Sequence, residues 1–287
     1  MPNILDYLTW RGDVPFSVSP PNEVDNYIHC KIGTLDFTGI VPENELYVPL
    51  PQAVEAYFAA GGAEKLGALS SPYIAPMVKR LPETVRFREV MLTGFRQVYD
   101  EKKTEQFSAL TLRLPGGQHY VTFRGTDDTI VGWKEDLNMS FSEEVPSQGA
   151  AVQFLNYGLR ENTRPLRVMG HSKGGNLAVY ASAMCRRDVQ DRIVAIYNND
   201  GPGLCDSVMA SEGYARIESR VSTFVPQSSV VGMLMNHTEN YQVIHAYGAE
   251  GIEQHDPYVW DTRRDNFVCE GGLRRGSLYT DRAIKEW

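Results

Sequence analysis

The chain has 287 residues, 42% of them hydrophobic and 22% charged, with a formal net charge of −8. This balance is that of an ordinary water-soluble globular protein with ample material for a core. The negative charge and the lack of Lys/Arg runs argue against a nucleic-acid partner. No apolar run approaches the roughly 20 residues that span a bilayer. The opening MPNILDYLTWRGDVPF has no basic stretch leading into an apolar one, so neither an integral membrane segment nor a secretory signal is expected. Cys30, Cys185, Cys205 and Cys269 are widely spaced and form no CxxC pair. They read as free thiols in a reducing cytoplasm, with no disulfide frame and no metal site.

In chain order, PPNEVDNYIHCKIGTLDF reads as a capped helix that buries Val24, Ile28 and Leu35, and residues 51–82 read as helical with Gly and Pro interruptions. The texture then changes. Residues 87–100 and 106–115 are β-rich runs about a polar DEKKTE, which predicts a hairpin, and 118–125 follows as a strand after a PGG turn. Beyond it the pattern alternates: a helix near 147–161, a strand at 165–170, a helix from 173 to about 186, a strand at 192–198, a helix near 209–219 and a strand at 220–225. Such alternation implies a mostly parallel sheet with helices on both faces, its first two strands forming an antiparallel edge. The closing LYTDRAIKEW looks amphipathic without a capping signal, as if a helix continued past it. No internal repeat or low-complexity linker appears, and one domain over 1–287 is expected. Its parts would be a mostly helical, lid-like region at 1–85 and a catalytic core at 86–287.

Residues 167–182, RVMGHSKGGNLAVYAS, hold Ser172 between Gly170 and Gly174 where the strand gives way to the helix. A turn that sharp needs small flanking residues, and the helix that follows aims free backbone N–H groups at the serine oxygen. The Lys173 N–H is thereby placed to receive an oxyanion. An incidental serine at a tight turn is the competing reading; the strand before and the helix after favour a nucleophile elbow.

A second segment, TFRGTDDTIVGWKEDLNMSF (122–141), lies some 45 residues earlier. FRGTD followed by W-x-x-D and then GHSxGG resembles the class 3 lipases of the α/β-hydrolase fold, and more closely a bacterial family of unknown function related to them. The resemblance covers about residues 85–260, and the NILDYL-W-RGD opening also looks like that bacterial family. It implies that Thr126 supplies the second oxyanion donor through its backbone N–H. It also implies that Arg124, Trp133 and Asp136 are scaffold, with Arg124 paired to Asp136 and Trp133 packed.

A serine hydroxyl needs a base to take its proton. Of the six histidines, His29 and His119 fall in expected scaffold, and His171 should point away from the active face. His245 lies in an alternating strand, leaving His255 in GIEQHDPYVW as first choice and His237 as second. A histidine shortly before a tryptophan, here Trp260, is also the class 3 pattern. Those lipases carry their acid at a place that falls near Ser228, where this chain has no carboxylate. Asp200 in YNNDGPGL is the preferred substitute, though NNDGPG also reads as a plain turn, and Asp256 is too close to His255 to reach the far ring nitrogen.

These residues predict a serine hydrolase that cleaves carboxylic esters through an acyl-enzyme, with Ser172, His255 and Asp200 catalytic, Thr126 and Lys173 at the oxyanion, and no metal or cofactor. The substrate would be a small acyl ester or a lipid, with residues 51–82 and the MLM segment at 233–235 as candidate pocket lining. An acyltransferase or thioesterase would use the same residues. A non-catalytic hydrolase-fold protein that binds a lipid or partner is the reading from another class.

Overall fold

The computed structural model describes residues 2–44, 46–66, 70–127, 129–139, 142–158, 164–237, 239–248 and 250–278. Almost all of the closing LYTDRAIKEW, residues 279–287, lies outside that set. Two helices come first, α1 (Ile4–Arg11) and α2 (Glu23–Ile32). Each starts at an asparagine, Asn3 or Asn22, whose side chain accepts backbone N–H groups while an aspartate three residues on returns the bond. Then follow β1 (Val48–Pro49), α3 (Leu50–Ala59), α4 (Ile74–Arg80), β2 (Met91–Asp100), β3 (Glu105–Arg113) and β4 (His119–Phe123). The β2–β3 hairpin carries an irregularity between Thr93 and Arg96, where Gly94 takes φ +61°. The turn into β4 uses Gly116 and Gly117, both at positive φ.

From there the chain runs through α5 (Ile130–Met139), α6 (Pro146–Tyr157), β5 (Leu166–His171), α7 (Lys173–Met184), α8 (Arg187–Gln190) and β6 (Ile193–Asn199). It ends with α9 (Asp206–Met209), α10 (Glu212–Ile217), β7 (Val221–Pro226), β8 (Tyr241–Ile244) and the small ribbon β9 (Thr262–Arg263) and β10 (Asn266–Phe267). The helix expected near 209–219 is thus two pieces. They are divided at Ser211, whose hydroxyl accepts the Tyr214 N–H and starts a new helix.

β1 to β8 form one sheet whose spatial order is the chain order. β1 through β4 pair antiparallel and β4 through β8 pair parallel, so the antiparallel edge is larger than the first hairpin. Side chains alternate across the strands, as the two-residue period requires. Leu110, Leu112, Tyr120 and Met169 face one core with Ile4, Val24, Ile28, Leu50, Val54 and Met77. Phe107, Ala109, Val121, Phe123 and Val168 face the other with Phe154, Leu177 and Ala181. The chain is therefore an α/β-hydrolase-type layered fold, a mostly parallel sheet covered on both faces. The apolar residues of α3 and α4, considered above as pocket lining, are buried in the first core, and Met233 is buried near β8.

The N-terminal layer is pinned by Asp25 and Arg86, both fully buried. Arg86 donates to both Asp25 oxygens and to the carbonyls of Val14, Ser19 and Pro20, and Tyr7 donates its hydroxyl to Asp25 at 2.7 Å. A buried charge so fully bonded holds the 13–25 segment in one arrangement; removing one partner of such a pair costs about 3–5 kcal/mol.

A very tight contact lies at the end of β5. A Cβ on Gly170 would lie 2.0 Å from the carbonyl carbon and oxygen of Gly174, and one on Gly174 would lie 2.2 Å from the Phe123 carbonyl oxygen. Gly170→Ala and Gly174→Ala are each expected to lower unfolding free energy by ~3 kcal/mol or more. Gly271→Ala, with no atom within 4 Å, should stay within ~0.5 kcal/mol of wild type. Urea unfolding of the three variants checks both.

Candidate active site

Ser172 sits between β5 and α7 at φ 59°, ψ −134°, a conformation that costs free energy in any residue with a Cβ. A serine at a helix start usually caps it by accepting an N–H. Here the side chain makes no capping bond, so its hydroxyl is left uncommitted. The Ser172 N–H is held instead by the Asn199 carbonyl at 3.0 Å, tying the elbow to the end of β6.

The next residue along β6, Asp200, is fully buried and also at positive φ, 49°. Its Oδ2 meets His255 Nδ1 at 2.6 Å. Its Oδ1 accepts the Ser229 hydroxyl at 2.5 Å and the Gly232 N–H at 3.2 Å. The carboxylate absent from position 228 is in effect delivered from the neighbouring strand, and the 228–232 turn supplies donors to it. Asp256, adjacent to His255, caps Tyr258 and does not enter this pair. His255 ends a short 3-10 turn, Gly251–His255, whose Gln254 carbonyl accepts from the buried Trp260 ring at 2.8 Å. Its own side chain keeps about 20% exposure. Among the described residues no hydrogen bond joins His255 to the Ser172 hydroxyl. Such bonds in unliganded sites are commonly long and tighten when substrate arrives.

His171 departs from expectation. It was expected to point away from the site, but its ring stacks on that of His255, centroids 4.4 Å apart at 30°. Burial, then the charges of Lys31 and His255, hold its pKa well below the usual imidazole value. His237, the second choice for base, is bonded to Glu239 at 2.9 Å. His245 lies 3.3 Å from Asp261 and 3.8 Å from Glu270. His29 is enclosed by Phe16, Phe87 and Tyr120, and His119 bonds Tyr47.

Gly125 rests against the elbow: a Cβ there would be 2.8 Å from the His171 carbonyl and 3.2 Å from Ser172 Cβ. Thr126, the next residue, is therefore close to Ser172. Neither the Thr126 nor the Lys173 backbone N–H donates to another described residue. Two adjacent acids on α5 grip these two positions. Thr126 donates its hydroxyl to Asp136 at 2.5 Å. The buried Lys173 ammonium reaches Glu135 at 3.1 Å and Gln106 at 2.6 and 2.8 Å, and Glu135 also accepts the Gln106 and Ser147 N–H groups. Arg124 pairs with Asp127 at 2.9 Å, not with Asp136. Asp136 is taken by Thr126, and burial pushes its carboxyl above the usual range. Trp133, expected to pack, is 54% exposed; with Ile130 and Leu137 it forms one apolar stripe along α5.

Glu135, Ser229 and Trp260's bond to Gln254 carry no sequence signal of their own, since each acts through a distant partner. The spacing of Ile130, Trp133 and Leu137 does mark one helix face, yet it cannot say whether that face is covered.

The family model described as Mbeg1-like matches residues 81–287. No curated protein matches the sequence. Among solved structures, the chain is similar to the crystal structure of M37 lipase at 15% identity and a TM-score of 0.43, covering 64% of this chain and 70% of that one. It is also similar to a triacylglycerol lipase from Penicillium expansum at 12% identity and a TM-score of 0.39, covering 63% and 81%. Among the described residues no helix is long and apolar enough to cross a membrane.

Lys173→Met should destabilise the protein by ~3–5 kcal/mol, because it strands the buried Glu135 carboxylate. Lys173→Met with Glu135→Gln should recover part of that loss, measured by chemical unfolding of both variants. Burial is the largest influence on Glu239 and acts upward, but bonds from His237 and Thr223 and the His237 charge outweigh it and bring its pKa down from 4.5 to about 2. A depressed carboxyl contributes stability above its unfolded value and loses it as pH falls. Stability should therefore drop by ~3 kcal/mol between about pH 4.5 and pH 2, and Glu239→Gln should flatten that slope.

Proposed function

The chain belongs to the Mbeg1-like family, and from that membership together with the geometry around Ser172 we propose that it is a serine hydrolase of carboxylic esters. The observation that carries this reading is the 2.6 Å bond between buried Asp200 and His255, beside a serine whose hydroxyl is not used for capping.

In this mechanism the Ser172 oxygen attacks the ester carbonyl and His255 Nε2 takes its proton. Asp200 accepts from Nδ1–H, which fixes the tautomer that leaves Nε2 free and stabilises the imidazolium formed. The carbonyl oxygen, now an oxyanion, is met by the Lys173 and Thr126 N–H groups, and each such donor contributes about 3 kcal/mol to lowering the barrier. The imidazolium returns its proton to the departing alkoxide, which leaves an acyl-enzyme. A water, deprotonated by the same nitrogen, then attacks the acyl carbonyl, and the acid leaves as the imidazolium returns that proton to the Ser172 oxygen. Lys173 serves through its backbone while its side chain is locked below. Glu135 and Asp136 keep the two oxyanion positions in register through Lys173 and Thr126.

The exposed stripe of Ile130, Trp133 and Leu137 adjoins this loop, which supports an apolar acyl chain in the substrate. An ester hydrolase, a thioesterase and an acyltransferase share these steps up to the acyl-enzyme and part only at the leaving group or acceptor.

A fluorophosphonate probe should label wild type and not Ser172→Ala. On p-nitrophenyl esters of increasing chain length, Ser172→Ala and His255→Ala should each lose on the order of 10⁶-fold in kcat and Asp200→Asn on the order of 10⁴-fold. Longer acyl chains should be favoured over acetyl. Wild-type turnover matched by Ser172→Ala would end the hydrolase reading.

A further inference from the structure

We infer that His171 is a positioning residue for His255, holding the plane and the main chain of the base through a stack and a hydrogen bond. This rests on the assignment of His255 as the base. His171 is the last residue of β5 and shares the strand face of Met169, which looks into the core under α2. From that face its ring meets the His255 ring at 4.4 Å, and its Nε2–H donates to the His255 carbonyl at 2.9 Å. The donor role fixes the tautomer, with the lone pair at Nδ1.

Asp200 fixes one atom of the His255 imidazole, Nδ1. A single hydrogen bond leaves the ring free to swing about it, and Nε2 would sweep an arc past Ser172. The flat contact with His171 removes that freedom. Behind His171, the Tyr27 ring stands edge-on at 5.7 Å and 88°, and Tyr27 in turn touches Trp260 at 5.9 Å. Trp260 grips the carbonyl of Gln254 and His171 grips that of His255, so two successive peptide groups of the base-bearing turn are anchored.

The arrangement also needs His171 to stay neutral, because His255 must become an imidazolium and two such cations stacked face to face would repel. The groups around His171 oppose its protonation: it is enclosed, and Lys31 at the end of α2 adds positive charge, with Asp256 the nearby acid acting on Lys31. Lys31 is itself buried, its ammonium 5.2 Å from the centre of the Tyr27 ring.

The test uses three substitutions in the full chain. His171→Phe keeps the flat face and loses the donor; His171→Gln keeps a donor near Nε2 and loses the ring; His171→Ala loses both. With p-nitrophenyl butyrate, His171→Ala should lose ~10²-fold in kcat, the scale of a small misplacement of a catalytic group. Its KM should stay within about twofold, with Phe and Gln each restoring part of kcat. The downfield proton resonance of the short Asp200–His255 bond should broaden in the Ala variant and sharpen again in Phe. Wild-type kcat in His171→Ala, or a loss confined to KM, overturns the inference. If the Ala variant does not fold, unchanged kcat in both Phe and Gln overturns it equally. A wild type that fails to react with fluorophosphonate sinks the hydrolase reading first, and an unchanged proton resonance in all three variants then sinks the positioning role separately.

Discussion

The site depends on a close approach of backbone to backbone: the end of β5 against the start of α7, and the start of α7 against the end of β4. Gly170 and Gly174 have no room for even one carbon more. With α7 pressed this far into the sheet, the chain between strand and helix has only one residue in which to reverse, and Ser172 takes up the turn at φ 59°. The same pressure brings Gly125 against Ser172, which is why the loop after β4 and the elbow share a rim. Nothing in the site's geometry survives if that contact opens.

Around this steric fact the buried charges at the elbow are arranged so that Lys173, Glu135 and Asp200 each have partners. Lys173 cannot point outward, because α7 is buried from Lys173 to Ala183. Its ammonium is therefore answered by Glu135 and Gln106, and Glu135 is answered by two backbone N–H groups besides. Asp200 has its hydroxyl and amide donors from the 229–232 turn as well as His255. The polar network is thus laid through the protein's interior, while Ser172 and His255 are each partly exposed.

Much of this was legible because it follows from local chemistry. Glycine at 170 and 174 has a single steric meaning, and the two-residue alternation of Phe107, Ala109, Leu110 and Leu112 announces a strand with two covered faces. Asp200 and His255 could be named from chain order and strand ends. What stayed hidden depends on partners far away in sequence. No pattern in GWKED says that Glu135 meets Lys173 while Asp136 meets Thr126 and not Arg124. The place of His171 beside Ser172 implies an outward side chain, but the distant turn at 251–255 comes down on its ring, and no local pattern shows that. Trp133 failed in another way: helical spacing identifies an apolar face, and burial of that face is a property of whatever lies opposite.

The sheet's order carries a further consequence, for synthesis. Because strand order equals chain order, each strand from β2 onward emerging from a ribosome finds its edge already waiting. The exception is the opening of the chain. α2 packs on β4 and β5, so its apolar face has no home until residues near 170 have been made. During that interval Val24, Ile28 and their neighbours are exposed hydrophobic surface, the kind that chaperones bind. A nascent chain halted before β5 would be the form of this protein most prone to aggregate.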